Sequence, residues 1–156
     1  GYYKKPEANR DSFRGKWFRT GDVAVMDTDG YVSIVGRLKE MIKRSGENIA
    51  AIEVQEVLAE HEAIVEAAVV GVPDPMRNEE VKAYILLAEG KTEADVSPAD
   101  IQAHCLQRLS KFKVPRYIAY VNAFPRTPSN KIAKNKLIAG VEDLTQGAFD
   151  LLEDKK

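Results

Sequence analysis

The spacing of apolar and polar positions changes several times along the 156 residues, and each change marks an element. Residues 23–26 and 31–35 are short β-prone runs joined by "DTDG", four turn formers, which predicts a hairpin. Residues 41–44 and 48–49 flank "SGE", predicting a tighter hairpin in which Gly46 permits a positive φ. In "AIEVQEVLAEH", Val54, Val57, Leu58 and His61 recur at i, i+3, i+4 and i+7 with acids opposite, the pattern of an amphipathic helix. Residues 64–72 are almost wholly apolar, as in a strand covered on both faces, and "PDP" is expected to end them. Val81, Ala83, Ile85 and Leu87 alternate along a second strand. Ser97, Pro98 and Asp100 read as an N-cap, an N1 proline and an N3 acid opening a helix whose apolar stripe includes Ile101, Cys105, Leu106 and Leu109. Residues 117–121 form a third strand, "FPRTPSNK" a proline-broken loop and "AKNKLIAG" a short helix. The acidic stretch 141–156 carries no clear punctuation and is expected to be weakly helical or disordered.

This order lacks strict βαβ alternation, so the fold class is α+β. Two parts emerge. Residues 1–38 resemble the all-β edge of a larger domain, residues 39–140 a compact unit with a three-stranded sheet covered by helices plus a hairpin, and 141–156 a tail. The opening, "GYYKKPEANRDSF", has no initiator Met and starts in a polar turn-rich segment, which predicts a piece of something longer.

Composition narrows the function. Lys and Arg number 23 against 24 Asp and Glu, so no global field argues for nucleic acid or membrane, and local patches matter more. Cys105 is the only cysteine and His61 and His104 the only histidines, which rules out an intramolecular disulfide and a Cys-built zinc site and disfavours a histidine-rich one. No apolar stretch approaches the roughly 20 residues of a membrane span. The expectation is a soluble, cytoplasmic protein.

Three stretches could carry chemistry. Asp22 follows Gly21 in "WFRTGD", where backbone can approach a ligand and a carboxylate could accept both hydroxyls of a ribose; taken singly, such an Asp is more often an ordinary turn residue. Arg37, after Gly36, offers a fork of donors for ribose or phosphate oxygens, though a lone Gly-Arg is usually surface charge. Lys131 sits in a loop stiffened by Pro125 and Pro128 and could bring a point charge to a phosphate, although most such lysines are merely solvated.

Together, "WFRTGD", "GRLKEMIKRSGENI", "KFKVP" and "PSNK", in this order, resemble the adenylate-forming enzymes: acyl-CoA synthetases, peptide-synthetase adenylation domains and luciferases. The likeness covers residues 1–140. "IKRSGENIAAIEVQEVL", "VVGVPDPMRNEEVKA" and "KFKVP" look most like bacterial acyl-CoA ligases of the carnitine and crotonobetaine type.

The resemblance implies a two-step enzyme. A carboxylate attacks the α-phosphate of Mg·ATP, giving acyl-adenylate and pyrophosphate, and CoA thiol then displaces AMP. A C-terminal lid turns between the steps, with Mg²⁺ expected from a large N-terminal domain that is also the lid's partner. By their places in the motifs, Asp22 and Arg37 match the ribose-binding pair, Lys39 the hinge, and Lys131 the lysine that serves adenylation. Ser45, Gly46 and Glu47 match a segment lining the pantetheine tunnel, Arg77 an arginine used on CoA, and Phe112 a residue that stacks the CoA adenine. Two departures stand out: Asn130 where Gly is commoner, and Val114 where basic or aromatic residues are frequent. The phosphate loop, acyl pocket and magnesium glutamate are missing from these residues, so the fragment is expected to be inactive alone.

Two other readings compete. One keeps the family but loads a carrier-protein thiol. The other is a non-enzymatic module whose basic stretches at 39–44, 111–116 and 131–136 bind acidic partners or RNA, although it lacks an aromatic platform for bases.

Overall fold

The computed structural model describes residues 1–152, and the chain divides into two compact units, Gly1–Lys39 and Glu40–Lys156. In the first, helix α1 (Pro6–Ser12) precedes the two-residue strands β1 (Phe13–Arg14) and β2 (Trp17–Phe18), and β3 (Asp22–Met26) pairs antiparallel with β4 (Val32–Arg37). The helix corrects the all-β reading of this region. Pro6 at the helix start and Glu7 in its first turn are N-terminal helix signals, but α1 buries no residue and so shows no apolar stripe. The β3–β4 loop is organised by Asp27, whose Oδ1 accepts from the Asp29 and Tyr31 amides at 3.0 and 2.9 Å.

Gly36 is the only buried residue of this unit, while Trp17, Met26 and Tyr31 are more than 70 % exposed. A hairpin with so little burial is marginal in water. Hydrogen exchange is therefore expected to run much faster across β3 and β4 than across the strand from Ile64 in the second unit. Equal protection of the two regions would contradict this.

The second unit does have a core. Strand β5 (Met41–Arg44) pairs with β6 (Glu47–Ala50), helix α2 (Ala51–Ala59) follows, and β7 (Ile64–Asp74) and β8 (Asn78–Leu87) form a long antiparallel pair. Helix α3 (Pro98–Leu106) crosses over to β9 (Tyr117–Tyr120), which lies parallel to β8 from Lys82↔Tyr117 to Ile85↔Tyr120. A parallel neighbour requires such a crossover. Helix α4 (Lys134–Ile138) and strand β10 (Phe149–Asp150) complete the order. The predicted three-stranded sheet is β7–β8–β9, joined by the β5–β6 hairpin through the single pair Arg44↔Asn78 and extended by β10 on β9.

Both faces of this sheet are covered. On one, Val54 and Leu58 of α2 and Ile101 and Cys105 of α3 meet Val69, Val81, Ala83 and Ile85. On the other, Ala68, Val70, Tyr84 and Ala119 meet Phe124, with Ile132, Leu137 and Ala148 against them. A capping box starts α3: the Asp100 amide donates to Ser97 Oγ at 3.2 Å and the Ser97 amide to Asp100 Oδ2 at 3.1 Å, which stabilises by about 1 kcal/mol. Burial pushes the Cys105 thiol up to about 11, so this cysteine is packing rather than nucleophile.

Two expectations change. Pro73 does not end β7, which runs to Asp74, because β7 is bonded along one side only and an edge strand tolerates a missing donor. The tail is not structureless between 141 and 152: Asp143 closes a turn by accepting from the Thr145 amide and hydroxyl at 2.8 and 2.7 Å, β10 pairs with β9, and Leu151 enters the core. The rest of that expectation falls on 153–156, outside the described residues.

Candidate functional site

Asp22 and Arg37 are cross-strand partners at the open end of β3–β4, and Arg37 Nε lies 2.9 Å from Asp22 Oδ1. Gly21 precedes them at φ +78°, and the Leu38 amide donates to its carbonyl at 2.9 Å, prolonging the ladder. An exposed guanidinium and a carboxylate are thus held side by side, an acceptor and a fork of donors suited to vicinal hydroxyls.

Lys39 lies in a single 3₁₀ turn, Leu38–Glu40, and is the last residue of the first unit. The second unit begins at Glu40, whose carboxylate pairs with Lys134 at the start of α4. The first residue after the junction is therefore tied to the segment that carries Lys131.

That segment is a small hairpin. Thr127 and Lys131 face each other, with the Thr127 amide donating to the Lys131 carbonyl at 2.8 Å and the Asn130 amide to the Thr127 carbonyl at 2.9 Å. Asn130 takes φ +61°, which explains why it can stand where Gly is commoner: its short polar side chain tolerates the left-handed region. The Lys131 amide also donates to Thr127 Oγ1 at 3.1 Å. Below the tip, Phe124 and Ala133 are buried, and Arg126 clamps both oxygens of Glu66 on β7. Lys131 projects exposed from this braced loop and has no ion pair among the described residues.

The remaining candidates converge elsewhere. An open cavity of about 470 Å³ is lined by Arg44, Arg77, Lys111, Phe112 and Arg116, with Leu106, Val114, Leu151 and Leu152 as its apolar part. Its size lies within the roughly 300–1,000 Å³ of small-molecule sites. Sequence reasoning found Arg77 and Phe112 but not Arg44, Lys111 or Arg116 individually; their only signal was membership of two basic stretches.

Glu80 is the hidden organiser of these cations. It is fully buried, and its carboxylate accepts from Arg44 Nε at 2.6 Å while Arg77 Nη1 stands 3.2 Å and Arg116 Nη1 3.8 Å away. One buried carboxylate thus holds Arg44 and Arg77 at the cavity, with Arg116 at the edge of its reach. Arg116 also chelates Asp150 through Nε and Nη2 at 2.9 and 2.6 Å, and this guanidinium holds the Asp150 carboxyl below the usual carboxylate range. That contribution to stability is present above the ordinary Asp value and is lost as pH falls through the lowered one.

The loop with Ser45, Gly46 and Glu47 is positioned by four consecutive residues of "RNEE". The Arg77 carbonyl accepts from the Ser45 amide at 2.9 Å, the Asn78 side chain donates through Nδ2 to the Lys43 carbonyl at 3.1 Å, Glu79 accepts from the Lys43 amide at 2.6 Å, and Glu80 holds Arg44. Glu79 can lie across the sheet because Gly71 has no Cβ, which would come within 2.9 Å of its carboxylate. Ser45 and Gly46 both take positive φ, +51° and +86°, as a two-residue type I′ turn requires. The tip thus stands next to the cavity as a rigid backbone edge.

The structure therefore places Lys131 and the cavity differently. The Lys131 loop packs on the Tyr84 face of the sheet, whereas the cavity wall of Val114 and Leu151 belongs to the α2–α3 face. No group of three or more His, Cys, Asp or Glu among the described residues could hold a metal ion. No helix there is long and apolar enough to cross a membrane.

The family model described as the AMP-binding enzyme C-terminal domain matches residues 53–131, just over half of the chain. The chain is 46% identical over 138 residues to a putative acyl-CoA synthetase, YngI, of Bacillus subtilis, covering 88% of this chain and 25% of that protein. It is 43% identical over 139 residues to the sulfoacetate–CoA ligase of Cupriavidus necator, covering 88% of this chain and 27% of the relative. Among solved structures, the o-succinylbenzoate CoA synthetase (MenE) of Bacillus subtilis in complex with its acyl-adenylate superposes with a TM-score of 0.78 at 31% identity, over 91% of this chain and 28% of that one. The chain thus spans about a quarter of the length of the relatives it matches. With the fold, the matched segment and these likenesses in agreement, the chain belongs to the family of AMP-binding enzyme C-terminal domains.

Proposed function

We propose that this chain works as the C-terminal lid, with an adjoining strip of the large domain, of an ATP-dependent acid:CoA ligase that forms an acyl-adenylate and then a CoA thioester. The observation that carries this reading is the cavity itself: Arg44, Arg77 and Lys111 around Phe112 offer cations for phosphates and a ring for a base. In this reading Asp22 and Arg37 hold the ribose of ATP or AMP, and Lys131 reaches the α-phosphate and the acyl carboxylate during adenylation. Lys39 is the hinge. Ser45, Gly46 and Glu47 line the path of the pantetheine arm, with Arg77 and Phe112 at the CoA nucleotide. Mg²⁺ belongs with ATP on the large domain.

The separation of Lys131 and the cavity onto different faces of one sheet supports a lid that serves two steps in turn. Relatives named for different acids, a sulfoacetate–CoA ligase and an oxalate–CoA ligase, share this segment at 43% and 42% identity, which fits a region devoted to nucleotide and CoA rather than to the acid. The lone buried Cys105 suits a reducing, cytoplasmic setting.

The carrier-protein alternative predicts no need for a nucleotide cavity on the lid. The nucleic-acid alternative is less favoured, since Arg44, Lys113, Arg116 and Lys134 of its basic stretches are paired with Glu80, Glu53, Asp150 and Glu40. The test uses a chimaera in which this chain replaces the matching C-terminal quarter of YngI. Given acyl-adenylate, it is expected to transfer the acyl group to CoA and not to a holo-carrier protein. Arg77→Gln is expected to raise the KM for CoA about tenfold and leave adenylation unchanged. Transfer to the carrier protein, or an unchanged KM, would remove Arg77 from the CoA site.

A further inference from the structure

The C-terminal segment of the described residues forms one wall of the cavity through Leu151 and Leu152. It is held at three points. Lys82 Nζ donates to the Leu144 carbonyl at 2.7 Å, Leu151 is buried with its amide on the Arg116 carbonyl at 3.1 Å, and Asp150 chelates Arg116. Arg116 consequently lines the cavity with every donor nitrogen engaged: Nε and Nη2 by Asp150, Nη1 by Asp74 at 3.3 Å.

We propose that this segment is a latch, in which Asp150 acts as an internal anion on Arg116 and a polyphosphate ligand gains that arginine by displacing it. The inference rests on the proposed use of the cavity for the nucleotide of CoA. The latch lies beyond residues 53–131, the segment that the family model matches. Its strand, β10, makes two residue pairs with β9, Phe149↔Ile118 and Asp150↔Tyr117, so releasing it breaks little ladder, while the Lys82 anchor keeps the segment tethered. A ligand phosphate is a better partner for Arg116 than a carboxylate, because it brings more charge and three acceptor oxygens to the same fork. With Asp150 in place, an incoming anion also meets a negative charge just behind Arg116 of the cavity wall.

The experiment titrates this chain calorimetrically with CoA and, separately, with tripolyphosphate. Asp150→Asn is expected to tighten both ligands about tenfold, and the gain should vanish in Asp150→Asn/Arg116→Gln. Loss of the Asp150 charge by itself favours any anion, but only displacement from Arg116 makes the gain depend on that arginine, which the double variant reads. Weaker or unchanged affinity of Asp150→Asn for both ligands overturns the latch. In the wild-type chain, exchange of the Leu152 amide, bonded to Asp150 Oδ1 at 3.0 Å, should accelerate on saturation with tripolyphosphate, and slower exchange would equally overturn it. If tripolyphosphate shows the gain and CoA does not bind, the latch stands and the CoA reading fails. If CoA binds equally to wild type and variant, the latch fails and that reading stands.

Discussion

Lys131→Ala is expected to lower acyl-adenylate formation by about 10² to 10³-fold, while thioester formation from supplied acyl-adenylate stays near the wild-type rate. The direction follows from the loop. Lys131 rides on a hairpin braced by the Arg126–Glu66 clamp and the buried Phe124 and Ala133, so removing its side chain takes away one placed charge and leaves the scaffold intact. A preorganised cation at a phosphate where charge develops acts on that step alone. The cavity proposed for CoA is on the other face of the sheet, which is why the second step should be spared. Separate measurement of ATP–pyrophosphate exchange and of CoA transfer in the YngI chimaera distinguishes the cases. Equal losses in both half-reactions would mean that Lys131 supports folding or lid placement rather than adenylation.

Lys39→Pro is expected to abolish CoA transfer and largely spare adenylation, with little change in melting temperature. Proline fixes φ near −65° and pushes the preceding residue, here Leu38, toward extended conformations. Both residues belong to the 3₁₀ turn at the junction of the two units. A backbone that must change φ and ψ for the lid to turn loses that freedom, whereas each unit keeps its own packing. The Glu40–Lys134 pair lies within the second unit and should survive. Single-turnover kinetics of the two steps provide the measurement. Near-normal rates for both would move the hinge away from Lys39.

Much of this architecture was legible in the sequence because its signals are local. The stripe Val54, Val57, Leu58 is the buried face of α2, and Ser97, Pro98 and Asp100 form the cap they spell. The "SGE" turn gave the β5–β6 hairpin, and the alternation Val81, Ala83, Ile85 gave the inner face of β8. What escaped depends on pairing at a distance. Pro73 is permitted within β7 only because of which side of that strand is bonded, and sequence does not show an edge. The segment 141–152 has weak local propensity and is ordered by Lys82, Arg116 and β9, all far away in the chain.

The site divided along the same line. Arg77 and Phe112 were found through motif position, and the cavity brings them together. Arg44 and Arg116 were legible only as members of basic stretches, because the carboxylates that hold them, Glu80 and Asp150, are brought to them only by the tertiary fold. Asn130 read as a departure from the usual Gly, and its φ of +61° lies in the left-handed region that Gly also favours. The Asp22–Arg37 pairing needed the register of β3 against β4, which slips by one residue between Val23 and Ala24.

The most direct test of the central claim is mass spectrometry of the chimaera's products after incubation with ATP, CoA and a pool of carboxylic acids. An acyl-CoA formed together with one AMP per thioester is expected, and no acyl-CoA when either CoA or the acid is left out. Thioester formation accompanied by ADP, or the absence of any acyl-CoA while the chimaera remains folded, would contradict it.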